Sequence, residues 1–332
     1  MIKLSGKFGS MAVMNNLKKN ITLSVIVPSY NEEANIVALY KRLTHVLKKI
    51  LKKNTDSYEI VYVNNASTDS SENMIKQIIK NDSNVTLITL SRNFGYQMAI
   101  SAGLDYAKGN AIVVIDGDLQ DPPELIKIFV EKWRQGYDVV YGVRKKRKGG
   151  LFRRINYKIF YRILKKISYI NIPVDASEYA LIDKKILKEL QNLPERNRFT
   201  RGLRAWVGFR QIGVEYTRED RTAGISHFNF TANIKLGFDG IFSFSEAPLH
   251  LITIIGFIIF LLSLIGIIVY VIYYLMAGRV VPGFLSTVII MLFLGGVQLL
   301  SISIIGQYIG RIFEEVKQRP PYIIREIVKH VV

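Results

Sequence analysis

Two carboxylates one residue apart, Asp116 and Asp118, close the apolar run Ala111–Ile115, and a third follows at Asp121. Like charges crowded beside a core raise one another's energy. Either a cationic partner faces them or the segment is an ordinary acidic turn. On a strand leaving a sheet, residues i and i+2 point to the same side. Asp116 and Asp118 could then share one hard divalent cation, Mg2+ or Mn2+, which takes oxygen ligands and often bridges to substrate phosphates. Gln120 adds a neutral oxygen at the next same-side position. A D-x-D pair alone is a weak signal, because surface turns produce it often; its place at the end of a buried strand gives it weight.

The elements that must hold these residues follow from hydrophobic patterning. Leu23–Tyr30, "YEIVYV", "VTLITL" and "AIVVID" read as strands nearly continuous in apolar residues, and after "DVVYGVR" the character of the chain changes. Between the first four lie segments of helical period. In the first, Asn31 is placed to cap and apolar residues recur at Ile36, Leu39, Leu43, Val46, Leu47 and Ile50. Apolar strands alternating with helices predict an α/β domain with a parallel sheet covered by helices. Ligands of such sheets sit at the carboxyl ends of the strands. Tyr30, Asn31, Asn64, Asn65, Asp116 and Asp118 all lie at such ends, and they are expected to converge on one site.

The chain has 332 residues, a net charge of +18 and no cysteine, which excludes disulfides and thiolate metal sites. Its mean hydropathy of +0.18 is high, and the excess is concentrated. No Asp, Glu, Lys or Arg occurs from Ala247 to Gly278, nor from Val280 to Gly310. Each run exceeds the roughly 20 residues that cross a bilayer, so two transmembrane helices are expected, about 249–276 and 282–308; buried core helices are the alternative. Lys and Arg flank the pair, and the positive-inside rule puts both ends in the cytoplasm. The basic charge is thereby assigned to a lipid bilayer and phosphorylated substrates, not to nucleic acid. Residues 1–20 lack the apolar core of a signal peptide and are expected to be a flexible segment before a catalytic domain at 21–227. Within that domain Leu151–Ile167 contains no acid, with Ile155, Ile159, Ile163 and Ile167 beside a row of Arg154, Lys158 and Arg162. That pattern predicts an amphipathic helix in the membrane interface. Residues 228–246 form a juxtamembrane segment and 311–332 a cytoplasmic tail.

The segments "SVIVPSYNEE", "VNNASTDS", "LSRNFGYQMAISAGLDYAKG", "DGDLQDPPE", "RGLRAWVGF", "REDRTAGISHF" and "GIFSFSEAPLHL" together resemble the inverting family 2 glycosyltransferases of the GT-A fold. More narrowly they resemble the bactoprenol glucosyltransferase and dolichol-phosphate mannose synthase group, over about residues 21–318. The resemblance implies transfer of a sugar from a UDP-sugar, glucose or N-acetylglucosamine, to polyprenyl phosphate, and a homo-oligomer of four chains. It implies a metal on Asp118 with Asp116 and Gln120, and a nucleotide held by Pro28, Tyr30, Glu32, Asn65 and Asp116. Arg144, Arg153, Arg154 and Arg221 would hold the lipid phosphate. Two departures from the family pattern stand out. Asn64 and Asn65 replace a pair of aspartates. "DASEYAL" replaces a D-x-G-D-F-R-L pattern, so that Glu178 stands for the second Asp and Ala180 for the Arg. Glu178 then either orients the acceptor site or takes a proton, with Asp175 as the neighbouring carboxylate. Two other readings are a processive polysaccharide synthase, disfavoured by having only two spans, and an inactive membrane-tethered binding protein.

Overall fold

The computed structural model describes residues 22–51, 57–145, 176–196, 198–219, 245–277 and 283–330. The expected interfacial helix at 151–167, residues 1–20 and most of the juxtamembrane segment lie outside these. The described chain forms an α/β unit, which includes residues from 320 onward, and a separate helical unit ending at 319.

In the α/β unit, β1 (Thr22–Ser29) pairs in parallel with β2 (Ser57–Asn64) and with β4 (Ala111–Val114), and β2 pairs in parallel with β3 (Val85–Leu90). Between them run α1 (Glu33–Ile50), α2 (Ser71–Asn81) and α3 (Tyr96–Tyr106). The apolar face of α1 packs as its period predicts: Ile36, Leu39, Leu43, Val46, Leu47 and Ile50 are all buried. At about 1.5–3 kcal/mol for each fully buried side chain, this face outweighs its ends. The Glu32 side chain at the N-cap makes no capping hydrogen bond; Asp69 Oδ2 instead accepts the Glu33 amide at 3.1 Å, and a cap is worth only about 1 kcal/mol. Asn31 does not cap as expected. It takes a left-handed φ of 54° and accepts the Thr68 amide at 2.8 Å, tying the β1–α1 turn to the β2–α2 loop.

The rest of the unit departs from a purely parallel sheet. α4 (Leu125–Arg134) leads to β5 (Val139–Arg144); then come β6 (Ala176–Asp183), α5 (Lys184–Asn192), α6 (Thr200–Trp206) and β7 (Gln211–Tyr216). β6 enters antiparallel between β4 and β5. The sheet order is β7-β5-β6-β4-β1-β2-β3-β8. An antiparallel strand brings its first residues to the edge where parallel strands end, so Ala176, Ser177 and Glu178 arrive at the carboxyl edge. β8 (Ile324–Lys329), drawn from the expected tail, pairs antiparallel with β3. It is held by Arg325 to Glu72 at 2.6 Å, Lys76 to Glu326 at 2.8 Å and Tyr322 to Asp105 at 2.6 Å.

The helical unit contains α7 (Ala247–Ala277) and α8 (Phe284–Lys317). Both carry stretches long and apolar enough to cross a membrane, Ala247–Tyr273 and Ile289–Lys317, and the most apolar 18 residues of each include no buried residue. The buried-core alternative therefore does not hold. α8 continues beyond the expected end at 308, because Arg311–Lys317 are good helix formers with no break before Gln318.

α3 lies close on the sheet at Gly103. A Cβ there would stand 2.3 Å from Ile26 Cγ2 and 3.2 Å from Val63 Cγ2. In an open helix Gly→Ala stabilises by up to about 1 kcal/mol. Here overpacking reverses the sign, and Gly103→Ala is expected to destabilise by about 1–3 kcal/mol. Thermal unfolding of the purified protein in detergent checks this; a higher midpoint than wild type refutes the packing account.

Candidate active site

The carboxyl edge gathers the acidic residues and their partners. β4 stops at Val114, so Asp116 and Asp118 sit on a turn and not on a strand continuing past the sheet. They still converge. Asp116 Oδ2 lies 3.1 Å, and Asp118 Oδ2 3.3 Å, from one nitrogen, Nη2 of Arg218. Arg218 Nε stands 3.3 Å from Asp121 Oδ1 without the alignment of a hydrogen bond. Asp121 is fully buried; its Oδ1 accepts from Tyr216 Oη at 2.6 Å, and its Oδ2 has no hydrogen-bond partner. Tyr96, the first residue of α3, donates its hydroxyl to Asp116. The positive group facing the carboxylates is Arg218, with Arg144 behind it, whose Nε reaches Tyr216 Oη at 3.4 Å.

The electrostatics follow from burial. Asp121 is pushed up from its ordinary 3.8 to about 6, first by burial and then by Asp116, against the pull of Arg218, Arg144 and Tyr216. Burial also raises the Tyr96 and Tyr216 hydroxyls, with Asp116 and Asp121 adding to the effect, so both remain donors. Burial opposes the charge on Arg144, but Tyr216, Asp121 and Asp116 more than restore it. Gly142 makes the Tyr216 position possible, since a Cβ there would stand 2.7 Å from the Tyr216 ring.

Gln120 is placed differently from expectation. Its backbone N–H donates to Asp118 Oδ1 at 3.2 Å, but its side-chain amide turns to the Glu219 carbonyl at 3.4 Å. The Gln120 carbonyl accepts the Glu219 amide at 2.9 Å, and Arg42 binds both Glu219 and Glu124. Gln120 therefore fixes the segment that carries Arg218.

Glu178 forms a second cluster. Its Oε1 accepts from Gln97 Nε2 at 2.9 Å and from Arg201 Nε at 3.0 Å, while its buried Oε2 has no hydrogen-bond partner. Gln97 is locked in orientation, because its Oε1 accepts from Thr200 N at 3.0 Å and Thr200 Oγ1 at 2.6 Å. Arg204, one turn further along α6, is buried; it donates to the Ser177 carbonyl at 3.1 Å and lies over Tyr141. Burial lowers its pKa to about 10. Ala180, where the family pattern has Arg, is buried opposite Val114 in the sheet, and Arg201 supplies the cation beside Glu178.

The β2 end is bound into the same edge. Asn65 Oδ1 accepts the Phe94 amide at 3.0 Å, and its Nδ2 donates to Asn93 at 2.9 Å. Asn64 Nδ2 donates to Glu72 Oε2 at 2.9 Å, a contact that an Asp would turn into repulsion. Pro28 is buried and Tyr30 half-buried; Glu32 accepts from Asn35 at 2.6 Å. The structure thus brings Pro28, Tyr30, Glu32, Asn65, Asp116, Asp118, Gln120, Arg144 and Glu178 to the strand ends. Asp175, Arg153, Arg154 and Arg221 lie outside the described residues.

The description "Glycosyl transferase family 2" matches residues 24–191. The chain is 43% identical over 308 residues to a glycosyltransferase of Synechocystis sp., spanning 92% of this chain and 96% of that one. This protein belongs to glycosyl transferase family 2. The family 2 chain is also 39% identical over 305 residues to a bactoprenol glucosyl transferase of Shigella phage SfII, spanning 92% and 97% of the two. Among solved structures it resembles the mannosyltransferase PcManGT of Pyrobaculum calidifontis, with 18% identity and a TM-score of 0.44 over 62% of this chain and 59% of that one. As a member of family 2, the protein is a glycosyltransferase. Its mostly parallel sheet with an acidic turn after β4 is the GT-A arrangement that the sequence motifs implied.

Among the described residues no group of three His, Cys, Asp or Glu side chains forms a metal cage. The donor set nevertheless fits a divalent ion. Two hard carboxylate oxygens, the donor type such an ion takes, already converge on a single cationic atom.

Asp121 makes the acidic site sensitive to pH. Because its pKa is raised on folding, its contribution to stability is complete below about pH 4 and is lost as pH rises to about 6. With chelator present, wild type is expected to lose thermal stability across this window relative to Asp121→Asn, and the two curves should run parallel above it. A constant offset from pH 3.5 to 8 refutes the assignment.

Proposed function

We propose that this glycosyltransferase transfers a sugar, glucose or N-acetylglucosamine, from a UDP-sugar to polyprenyl phosphate at the cytoplasmic face of the membrane, with inversion. The observation that carries the reading is the joint placement of Asp116, Asp118, Arg218 and Glu178 at one sheet edge. It is supported by full-length similarity to bactoprenol glucosyl transferases, whose acceptor is a lipid, and by the apolar surface of α7 and α8.

Asp116 and Asp118 would hold a Mg2+ or Mn2+ ion, which when bound neutralises charge developing on the departing diphosphate. Pro28, Tyr30, Glu32 and Asn65 surround the nucleotide. With Oδ1 accepting Phe94 N–H, Asn65 keeps one lone pair for a base N–H. Tyr96 and Arg218 fix the Asp116 carboxylate in position. The acceptor phosphate, with a second pKa near about 6, attacks the sugar C1 largely as its dianion and needs little proton removal. Glu178, neutralised on one oxygen by Arg201 and Gln97, serves to orient the acceptor site. Arg144, Arg153, Arg154 and Arg221 counter the charge of two anions meeting. α7 and α8 leave and rejoin a chain whose flanks belong to one α/β unit, so an even number of crossings returns it to the same side. Flanking Lys and Arg make that side the cytoplasm.

Purified protein incubated with polyprenyl phosphate, Mg2+ or Mn2+ and a panel of nucleotide sugars tests the reading, with lipid product detected by mass spectrometry. Absence of glycosyl lipid with every donor refutes it. Asp118→Asn is expected to reduce transfer by at least about a hundredfold without loss of fold. Glu178→Gln is expected to raise the KM for polyprenyl phosphate more than that for the nucleotide sugar. A purely structural Glu178 would leave both unchanged.

A further inference from the structure

We propose that Arg218 is a displaceable internal cation: its guanidinium holds Asp116 and Asp118 together when no metal is bound, and it must swing away before a divalent ion binds between them. This rests on the reading that these two carboxylates take such an ion, and it adds a competitor built into the chain.

Three observations carry it. Arg218 Nη2 stands 3.1 Å from Asp116 Oδ2 and 3.3 Å from Asp118 Oδ2, so a monovalent cation already lies where the two carboxylates converge. The charge count is close to neutral for that state. Asp116, Asp118 and Asp121 face Arg218 and Arg144, which leaves one net negative charge, and a divalent ion added with Arg218 in place would sit against a like charge. The backbone around Arg218 is pinned. On one side Tyr216 is anchored on Asp121 at 2.6 Å. On the other, Glu219 is held by Gln120 and by Arg42 at 3.0 Å. The side chain of Arg218 is 26% exposed, more open than the 19%, 14% and 0% of its three acidic partners, so it can leave by changing rotamer without the segment moving.

The displaced guanidinium needs another anion, and an arriving diphosphate supplies one, since Arg pairs readily with phosphate oxygens. Metal and nucleotide diphosphate therefore load together. Metal alone binds weakly, because it must expel Arg218 into water.

The test is the affinity of the full-length protein in detergent for Mn2+ alone, read from the paramagnetic resonance signal of free Mn2+, with and without UDP. Arg218→Gln keeps a polar side chain and removes the charge; it is expected to bind Mn2+ about tenfold or more tightly than wild type. Arg218→Lys keeps the charge but cannot span three carboxylates, and should fall between them. UDP should tighten Mn2+ binding in wild type more than in Arg218→Gln. Mn2+ binding no tighter in either variant than in wild type overturns the inference while leaving the metal reading intact. Failure of all three proteins to bind Mn2+, with or without UDP, overturns both. If Arg218→Gln does not fold, the Lys variant against wild type decides by the same criterion.

Discussion

The site depends on how three carboxylates are held at the end of a buried strand. Asp121 is fully buried, Asp116 and Asp118 are partly buried, and uncompensated charges there are costly. The compensation comes from three other elements: Arg144 from the end of β5, Tyr216 from the end of β7, and Arg218 from the segment beyond it. Two of these are positioned in turn: the missing side chain at Gly142 makes room for Tyr216, and the Gln120–Glu219–Arg42 contacts hold the backbone that carries Arg218. The acidic turn after β4 therefore has its shape only because β5 and β7 are in register beside it.

The antiparallel entry of β6 is the second constraint. If β6 ran parallel to β4, Glu178 would lie near the opposite edge. Running antiparallel, it brings Glu178 beside the α3 residue Gln97 and the α6 residues Thr200 and Arg201, so one carboxylate joins three elements. The buried face of α6 is cationic for this reason: its Arg201 and Arg204 serve Glu178 and the Ser177 carbonyl.

Most of the frame was legible in the residues. Long apolar strands and the 3.6-residue period placed β1 to β4 and α1 to α3 because burial on both faces leaves little room for other patterns. The D-x-D turn and the strand-end asparagines could be found because ligand sites in such sheets follow the chain ends. The antiparallel β6 and β8 could not be read, since strand direction is set by connections and edges and leaves no mark in composition. Nor could Arg218, Arg201 or Gln97, because a single Arg or Gln carries no period or spacing. Arg221 was singled out by its match to the family pattern, and only tertiary register shows that its neighbour Arg218 reaches the carboxylates. Gln120 illustrates the reverse case: its spacing fitted a ligand, but its side chain went to a backbone carbonyl.

β8 has a consequence for biosynthesis. β3 is buried along most of its length, and its outer edge is completed by residues made only after both apolar helices. A chain emerging from the ribosome must therefore keep an open, apolar strand edge exposed while its two apolar helices are made, the condition under which strands pair with wrong partners. Closing that edge joins residues more than two hundred positions apart, which makes it a slow step. The sheet of this enzyme is thus sealed last, after both apolar helices have been made.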